Sequence, residues 1–312
     1  MFTVMSNSPA AVSMSSRKQE KMKKTAAQAK KKAPKSTKTR AKAPKKPAKL
    51  LGRGEPAPVR VENPRGRAKC VIVCDHASNR VPKALGTMGL KKAELKKHIA
   101  WDPGTEDIGY YLSKKMDAAL VLANYSRLVV DLNRGEDAPE CMRAESDHIR
   151  IPANEGLTAA QKKQRIGEIF NPYHKVLGAQ LKRHIDKGVA PLLLSLHSFT
   201  PEMDGFKRPW HIGVLWNKEE GIAKRLVESL RKNNPDLRIG DNEPYSLKAA
   251  NVTKNTISTH AEARGLPYVI VEFRQDLVGT KAGARKWAEI FLQSLAPVIA
   301  DPELYRLKKR RK

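Results

Sequence analysis

From Lys69 onward the apolar residues follow two rhythms. Short unbroken runs recur at Cys70–Cys74, Ala119–Ala123, Leu128–Leu132, Leu192–Leu196, Ile212–Leu215 and Tyr268–Phe273. A strand that is apolar at every position has both faces buried, so these runs predict six strands of a largely parallel sheet. Between them, apolar residues return every three or four positions across Asp107–Met116, Ala159–Lys187, Glu219–Lys232 and Ala282–Leu295. That spacing predicts helices with one buried stripe. Strands alternating with helices give an α/β fold, and a sheet covered on both faces gives three layers, α/β/α, over residues 67–300. No segment repeats another.

In open α/β sheets ligands bind beyond the carboxyl ends of the strands. Four predicted strand ends carry polar residues beyond what a turn requires. Asp75-His76 follows the first strand and Asp131-Leu132-Asn133-Arg134 the third; His197-Ser198 follows "LLLSL", and Glu272-Phe273-Arg274-Gln275-Asp276 closes "YVIVEFRQD".

Two histidines with a third N or O donor would bind Zn²⁺ and leave a position open for water. Zinc brings the pKa of such a water towards neutrality and polarises a carbonyl. Glu272, at the end of a strongly apolar strand, suits the general base, because desolvation raises a carboxyl pKa. The planar fork of Arg134 suits a substrate carboxylate. These parts together describe hydrolysis of an amide beside a carboxylate.

Each residue also has a plainer reading. His76 and His197 are equally the kind of residue found hydrogen-bonded in a core, and Asn133-Arg134 fits a turn with a surface ion pair. Glu272 and Arg274, two apart on one strand face, are placed to pair with each other. His260 and Arg264 share a helix face and reach either the site or the helix end before Gly265. Arg208, before Trp210-His211, either holds an anionic substrate or packs at the rim, and Arg127 offers a second cation beside Arg134.

Charge divides the chain unevenly. The first 50 residues hold 15 Lys/Arg against one acid, Glu20, and so carry +14 of the net +28; residues 301–312 carry +4, leaving +10 on residues 51–300. A Lys/Ala/Pro-rich stretch with one aromatic cannot offset the entropy of ordering it. Residues 1–66 are therefore expected to be a disordered basic tail and linker, with a short basic tail at 301–312. A flexible polycation attracts nucleic acid or another polyanion by counterion release, without reading sequence. Cys70, Cys74 and Cys141 form no CxxC pair and are expected as free thiols, which fits a reducing, cytoplasmic location. No run approaches the roughly 20 apolar residues of a membrane helix, nor is there a signal-peptide core.

The blocks "CDHASNRVP", "HIAWDPG", "NYSRLVVDLNR", "LLSLHSFTP", "RPWHIGVLWN", "GDNEPY" and "HAEARGLPYVIVEFRQDL" resemble the N-formylglutamate amidohydrolase family across about residues 69–298. That family is similar to the zinc metallocarboxypeptidases. The resemblance implies a phosphorylase/hydrolase-like α/β/α fold with a mixed, mainly parallel sheet, and release of formate and L-glutamate from N-formyl-L-glutamate. It implies zinc on His76 and His197, a substrate-carboxylate clamp at Asn133 and Arg134, and Glu272 as general base.

The family's wider pattern is His-x-x-Glu, and here Asn79 holds the Glu position. Either Asn79 is a neutral ligand, or Asp102 or Asp75 supplies the carboxylate. Asp102 is the better placed, since Asp75 points away from its neighbour His76 if the strand pleat continues. Two further functions compete: a nucleic-acid-associated protein acting through its tail, and a carboxylate-binding family member that does not hydrolyse.

Overall fold

The structure is a computed structural model that describes residues 49–246 and 254–307. Seven strands form one sheet: β1 (Val59–Glu62), β2 (Cys70–Cys74), β3 (Ala119–Ala123), β4 (Leu192–Phe199), β5 (Ile212–Leu215), β6 (Ile239–Asp241) and β7 (Tyr268–Arg274). Their order is β1-β3-β2-β4-β7-β5-β6. The central run β3-β2-β4-β7 is parallel. β1 pairs antiparallel with β3, β5 antiparallel with β7, and β6 parallel with β5. The sheet is thus mixed and mainly parallel.

The unbroken apolar runs are explained by two separate cores. On one face Ile72, Leu120, Leu122, Leu194, Leu196, Val269 and Val271 meet helices α1 (Thr105–Met116), α4 (Glu220–Asn233) and α7 (Lys281–Ile299). On the other, Val71, Val73, Val121, Leu193, Tyr268 and Ile270 meet Tyr173, Leu177 and Leu181 of α3 (Asn171–Ile185). Neighbouring strand residues alternate between the two cores, so every position is buried.

The long helix expected over Ala159–Lys187 is one run with an irregularity. It starts as α2 (Ala159–Arg165) behind a Thr158–Gln161 capping box, passes through a π-helical turn at Ile166–Phe170, and continues as α3. The short helices α5 (Thr256–His260) and α6 (Gln275–Val278) flank β7.

Three expectations need correction. Leu128–Leu132 is not a strand: β3 already has β2 on one side and β1 on the other, and the run is buried through turns instead. Residues 51–66, read as linker, contain the edge strand β1, and Leu50 before them is 4% exposed. Asp301–Leu307, read as tail, includes a 3₁₀ turn at Pro302–Tyr305. The expectation of a disordered basic tail falls on residues 1–48, which lie outside the described residues, as do 308–312. Among the described residues no helix is long and apolar enough to cross a membrane.

Candidate active site

Sheet register assembles the site. β4 and β7 run parallel with His197 beside Glu272, and β2 and β4 pair Val73 with Ser195, so Asp75 and His76 emerge next to His197. The loop after β2 and the segment before α1 meet where Asp102 N–H donates to the His76 carbonyl (2.9 Å). Asp102 Oδ2 then faces both imidazoles, 2.9 Å from His197 Nδ1 and 3.3 Å from His76 Nδ1. It also accepts from the Ser198 N–H at 3.3 Å. All three side chains are buried, and one ligand atom from each lies within 4.8 Å of the others.

Behind His76, Nε2 lies 2.7 Å from Asp131 Oδ1. The other Asp131 oxygen accepts from Arg127 Nε (3.0 Å) and Nη2 (2.7 Å). The charges hold one another ionised. Burial alone would push Asp131 up, but Arg127 and His76 hold it well below the carboxylate range. Asp102 is likewise held low, against burial, by His76 and His197. Burial and Arg127 oppose the charge on His76, yet Asp131 and Asp102 raise its pKa to about 9.

Glu272 is the exception among the acids. Burial pushes its pKa to about 7, His197 opposing and Asp102 adding to the rise, and its Oε2 has no hydrogen-bond partner among the described residues.

The donor set fits a divalent metal ion. His76, Asp102 and His197 are the N and O ligands that zinc takes. The contact of His76 Nε2 with Asp131 is of the kind that orients metal-ligating histidines, and it leaves Nδ1 to face inward. A buried aspartate oxygen and two imidazole nitrogens aimed at one another need either a shared proton or a shared cation.

The site opens into a cavity of about 260 Å³ whose walls include Arg127, Asn133, Arg134, Arg143, Tyr245 and Glu272. Asn133 is fixed by accepting from the Thr256 N–H (3.0 Å) at the start of α5, and its amide nitrogen is 3.4 Å from His197 Nε2. Among the described residues the Arg134 side chain bonds only the Asn133 carbonyl (2.9 Å) and forms no ion pair. Arg127 lines the cavity but is committed to Asp131 and, at 3.6 Å, to Asp102.

Four of the expected site residues are not brought into the cavity wall. The Asn79 amide donates to the Leu95 carbonyl (2.9 Å), because the loop after His76 turns away from the cluster. His260 is buried against His174, 2.9 Å away, with Arg264 on its other side. Arg274 pairs with Asp276 rather than Glu272. Arg208 stands behind the wall, donating to the Tyr245 hydroxyl at 3.0 Å with its guanidinium 4.8 Å from that ring. The roles of Asp131 and Tyr245 were not assigned from sequence, although both fall inside the quoted blocks "NYSRLVVDLNR" and "GDNEPY".

The fold and this cluster define a class: hydrolases built on a three-layer α/β/α sheet, with histidine and carboxylate side chains gathered at the strand ends. Residues 68–278 match the N-formylglutamate amidohydrolase family, and the chain belongs to that family. Membership points to amidohydrolase activity. The fold is similar to that of a gene product of Agrobacterium tumefaciens (30% identity, TM-score 0.75, covering 81% of this chain and 98% of that one). It is also similar to N-formylglutamate amidohydrolase from Ralstonia eutropha JMP134 (18% identity, TM-score 0.61, covering 78% and 98%). No curated protein matches the chain.

Proposed function

We propose that this chain is a metal-assisted amidohydrolase of N-acyl amino acids, cleaving N-formyl-L-glutamate to formate and L-glutamate. The observation that carries the reading is the desolvated Glu272 carboxyl set beside His76, Asp102 and His197 in one cavity. When bound by those three residues, Zn²⁺ would supply a Lewis acid and a water of near-neutral pKa.

The chain's own residues do the rest. Asn133 and Arg134 receive the substrate carboxylate, Arg134 through a guanidinium that holds no carboxylate among the described residues. That contact aligns the amide over the cluster and makes attack effectively intramolecular. Glu272, near neutrality by burial, is poised to accept a proton from the attacking water and return it to the leaving nitrogen. Asp131, held by the Arg127 fork, steadies His76 from behind.

The test pairs elemental analysis of purified protein with formate release from N-formyl-L-glutamate. We expect one zinc per chain, and turnover lost in Glu272→Gln with zinc retained. No zinc in the wild type, or undiminished turnover in Glu272→Gln, would sink the mechanism.

A further inference from the structure

His76 and His197 turn the same ring atom, Nδ1, towards the same Asp102 oxygen, but differ in what stands behind them. Behind His76 is the Asp131 carboxylate. Nε2 of His197 has three polar neighbours: Ser195 Oγ at 3.1 Å, the Asn133 amide nitrogen at 3.4 Å and Asp75 Oδ2 at 3.7 Å. Asp75 is fully buried; its Oδ1 accepts a 2.6 Å bond from the Tyr173 hydroxyl, and its Oδ2 has no hydrogen-bond partner among the described residues.

We propose that Asp75, held in place by Tyr173, is the positioning residue of His197: its Oδ2 accepts the Nε2 proton and so aims the Nδ1 lone pair at the His76–Asp102–His197 group. The inference rests on the metal reading above.

The chemistry decides among the three neighbours. A ligating imidazole is neutral, with a lone pair on one nitrogen and a proton on the other that needs an acceptor. The Asn133 amide nitrogen can only donate, and its oxygen is occupied by the Thr256 N–H. Ser195 is a neutral acceptor. Asp75 offers a carboxylate oxygen, and carboxylate acceptors make the stronger bonds. Its Oδ2, unlike its Oδ1, has no donor among the described residues, and a buried carboxylate oxygen left bare is costly. The terminal torsion of histidine sits in a broad well, so a modest ring rotation brings Nε2 from 3.7 Å into range.

Topology brings the two side chains side by side. The Val73–Ser195 pairing of β2 with β4 sets Asp75 beside His197 two residues further on. Tyr173 arrives from the opposite layer, three residues after the π-helical turn at Ile166–Phe170. Such turns re-aim the side chains that follow and recur at functional sites.

The test measures zinc affinity of the full-length protein by competition with a chromophoric chelator. It compares wild type, Asp75→Asn, Tyr173→Phe, Ser195→Ala and the Asp75→Asn/Tyr173→Phe double variant, with thermal unfolding of each. Asp75→Asn should weaken zinc binding by about 10–100-fold, and saturating zinc should restore turnover. Tyr173→Phe should weaken it less and add nothing to Asp75→Asn in the double variant, since both act through one contact. Ser195→Ala should keep wild-type zinc affinity. If Asp75→Asn fails to fold, Tyr173→Phe decides alone. Unchanged affinity in the Asp75 and Tyr173 variants, or a loss confined to Ser195→Ala, overturns the inference and leaves the metal reading standing. A wild type that binds no zinc overturns both.

Discussion

Nε2 of His76 lies 2.7 Å from Oδ1 of Asp131, with the two side chains only 2% and 4% exposed. The second Asp131 oxygen is gripped by the Arg127 fork, so one carboxylate orients the imidazole on one side and neutralises a guanidinium on the other. Asp131→Asn removes both functions while keeping shape. Zinc affinity should fall by about 10–100-fold, as for loss of an outer partner of a ligating histidine. Stability should fall by about 2 kcal/mol, below the figure for a fully buried pair because Arg127 keeps some contact with water. Chelator competition and urea unfolding read the two effects, and undiminished zinc affinity would remove Asp131 from the site.

Glu272 carries a liability along with its chemistry. Its pKa in the folded chain, about 7, stands above its ordinary 4.5. A raised carboxyl contributes stability that is fully present below about pH 4.5 and is lost as pH rises through about 7. In zinc-depleted protein above pH 8, Glu272→Gln should therefore be more stable than wild type by about 2–3 kcal/mol. The gap should close towards pH 5. Zinc-loaded Glu272→Gln should lose about 10²–10⁴-fold in kcat, the range for a missing general base. Urea midpoints that differ by the same amount at pH 5 and pH 8 would contradict the burial argument.

Much of this was legible in the chain because parallel strands buried on both faces leave an unmistakable trace. β2, β3, β4, β5 and β7 all coincide with apolar runs, and His76, His197 and Glu272 stand at or near their carboxyl ends. What periodicity does not carry is partnership. Leu128–Leu132 is as apolar as any strand, but β3 had no free edge to offer it. Asn79 sits at ligand spacing from His76, yet spacing counts residues along the chain, and the loop spends them reaching the Leu95 carbonyl. His260 and Arg274 lie on plausible faces, but a face does not fix whether a side chain meets the cavity or a neighbour such as His174 or Asp276. Tyr173 bonds a residue 98 positions away across the layers, a contact no local pattern announces.

Gly104 connects backbone conformation to the site. It caps α1 two residues after Asp102 with φ 82°, and a Cβ there would lie 2.4 Å from the Val278 carbonyl oxygen. Gly104→Ala thus combines left-handed strain with a clash against backbone, and we expect a loss of about 2 kcal/mol or more. Because the strain is relieved by moving the loop that holds Asp102, zinc affinity should weaken too. Gly265→Ala is the control. Its φ is 64° and ψ 30°, an ordinary left-handed conformation with nothing within 4 Å of the added atom, so it should cost about 1 kcal/mol and leave zinc binding intact. Equal behaviour of the two variants in thermal unfolding and zinc competition would refute the argument.

His260 gives the fold an acid-sensitive point outside the His76–Asp102–His197 cluster. It is 3% exposed, and burial, then the neighbouring His174 and Arg264, lower its pKa from 6.5 to about 3. His174, 2.9 Å away and also lowered by burial, offers no negative charge to stabilise a proton here. The sign follows from the depressed value: the unfolded chain takes up this proton near pH 6.5 and the folded chain does not. Stability from the neutral ring is therefore fully present above about pH 6.5 and drains as pH falls towards about 3. Between pH 7.5 and pH 4.5 the wild type should lose about 2 kcal/mol more than His260→Gln, which has no proton to gain. Urea unfolding at the two pH values measures the difference. Equal losses in the two proteins would mean that His260 protonates in place, with α3 or α5 moving to admit water.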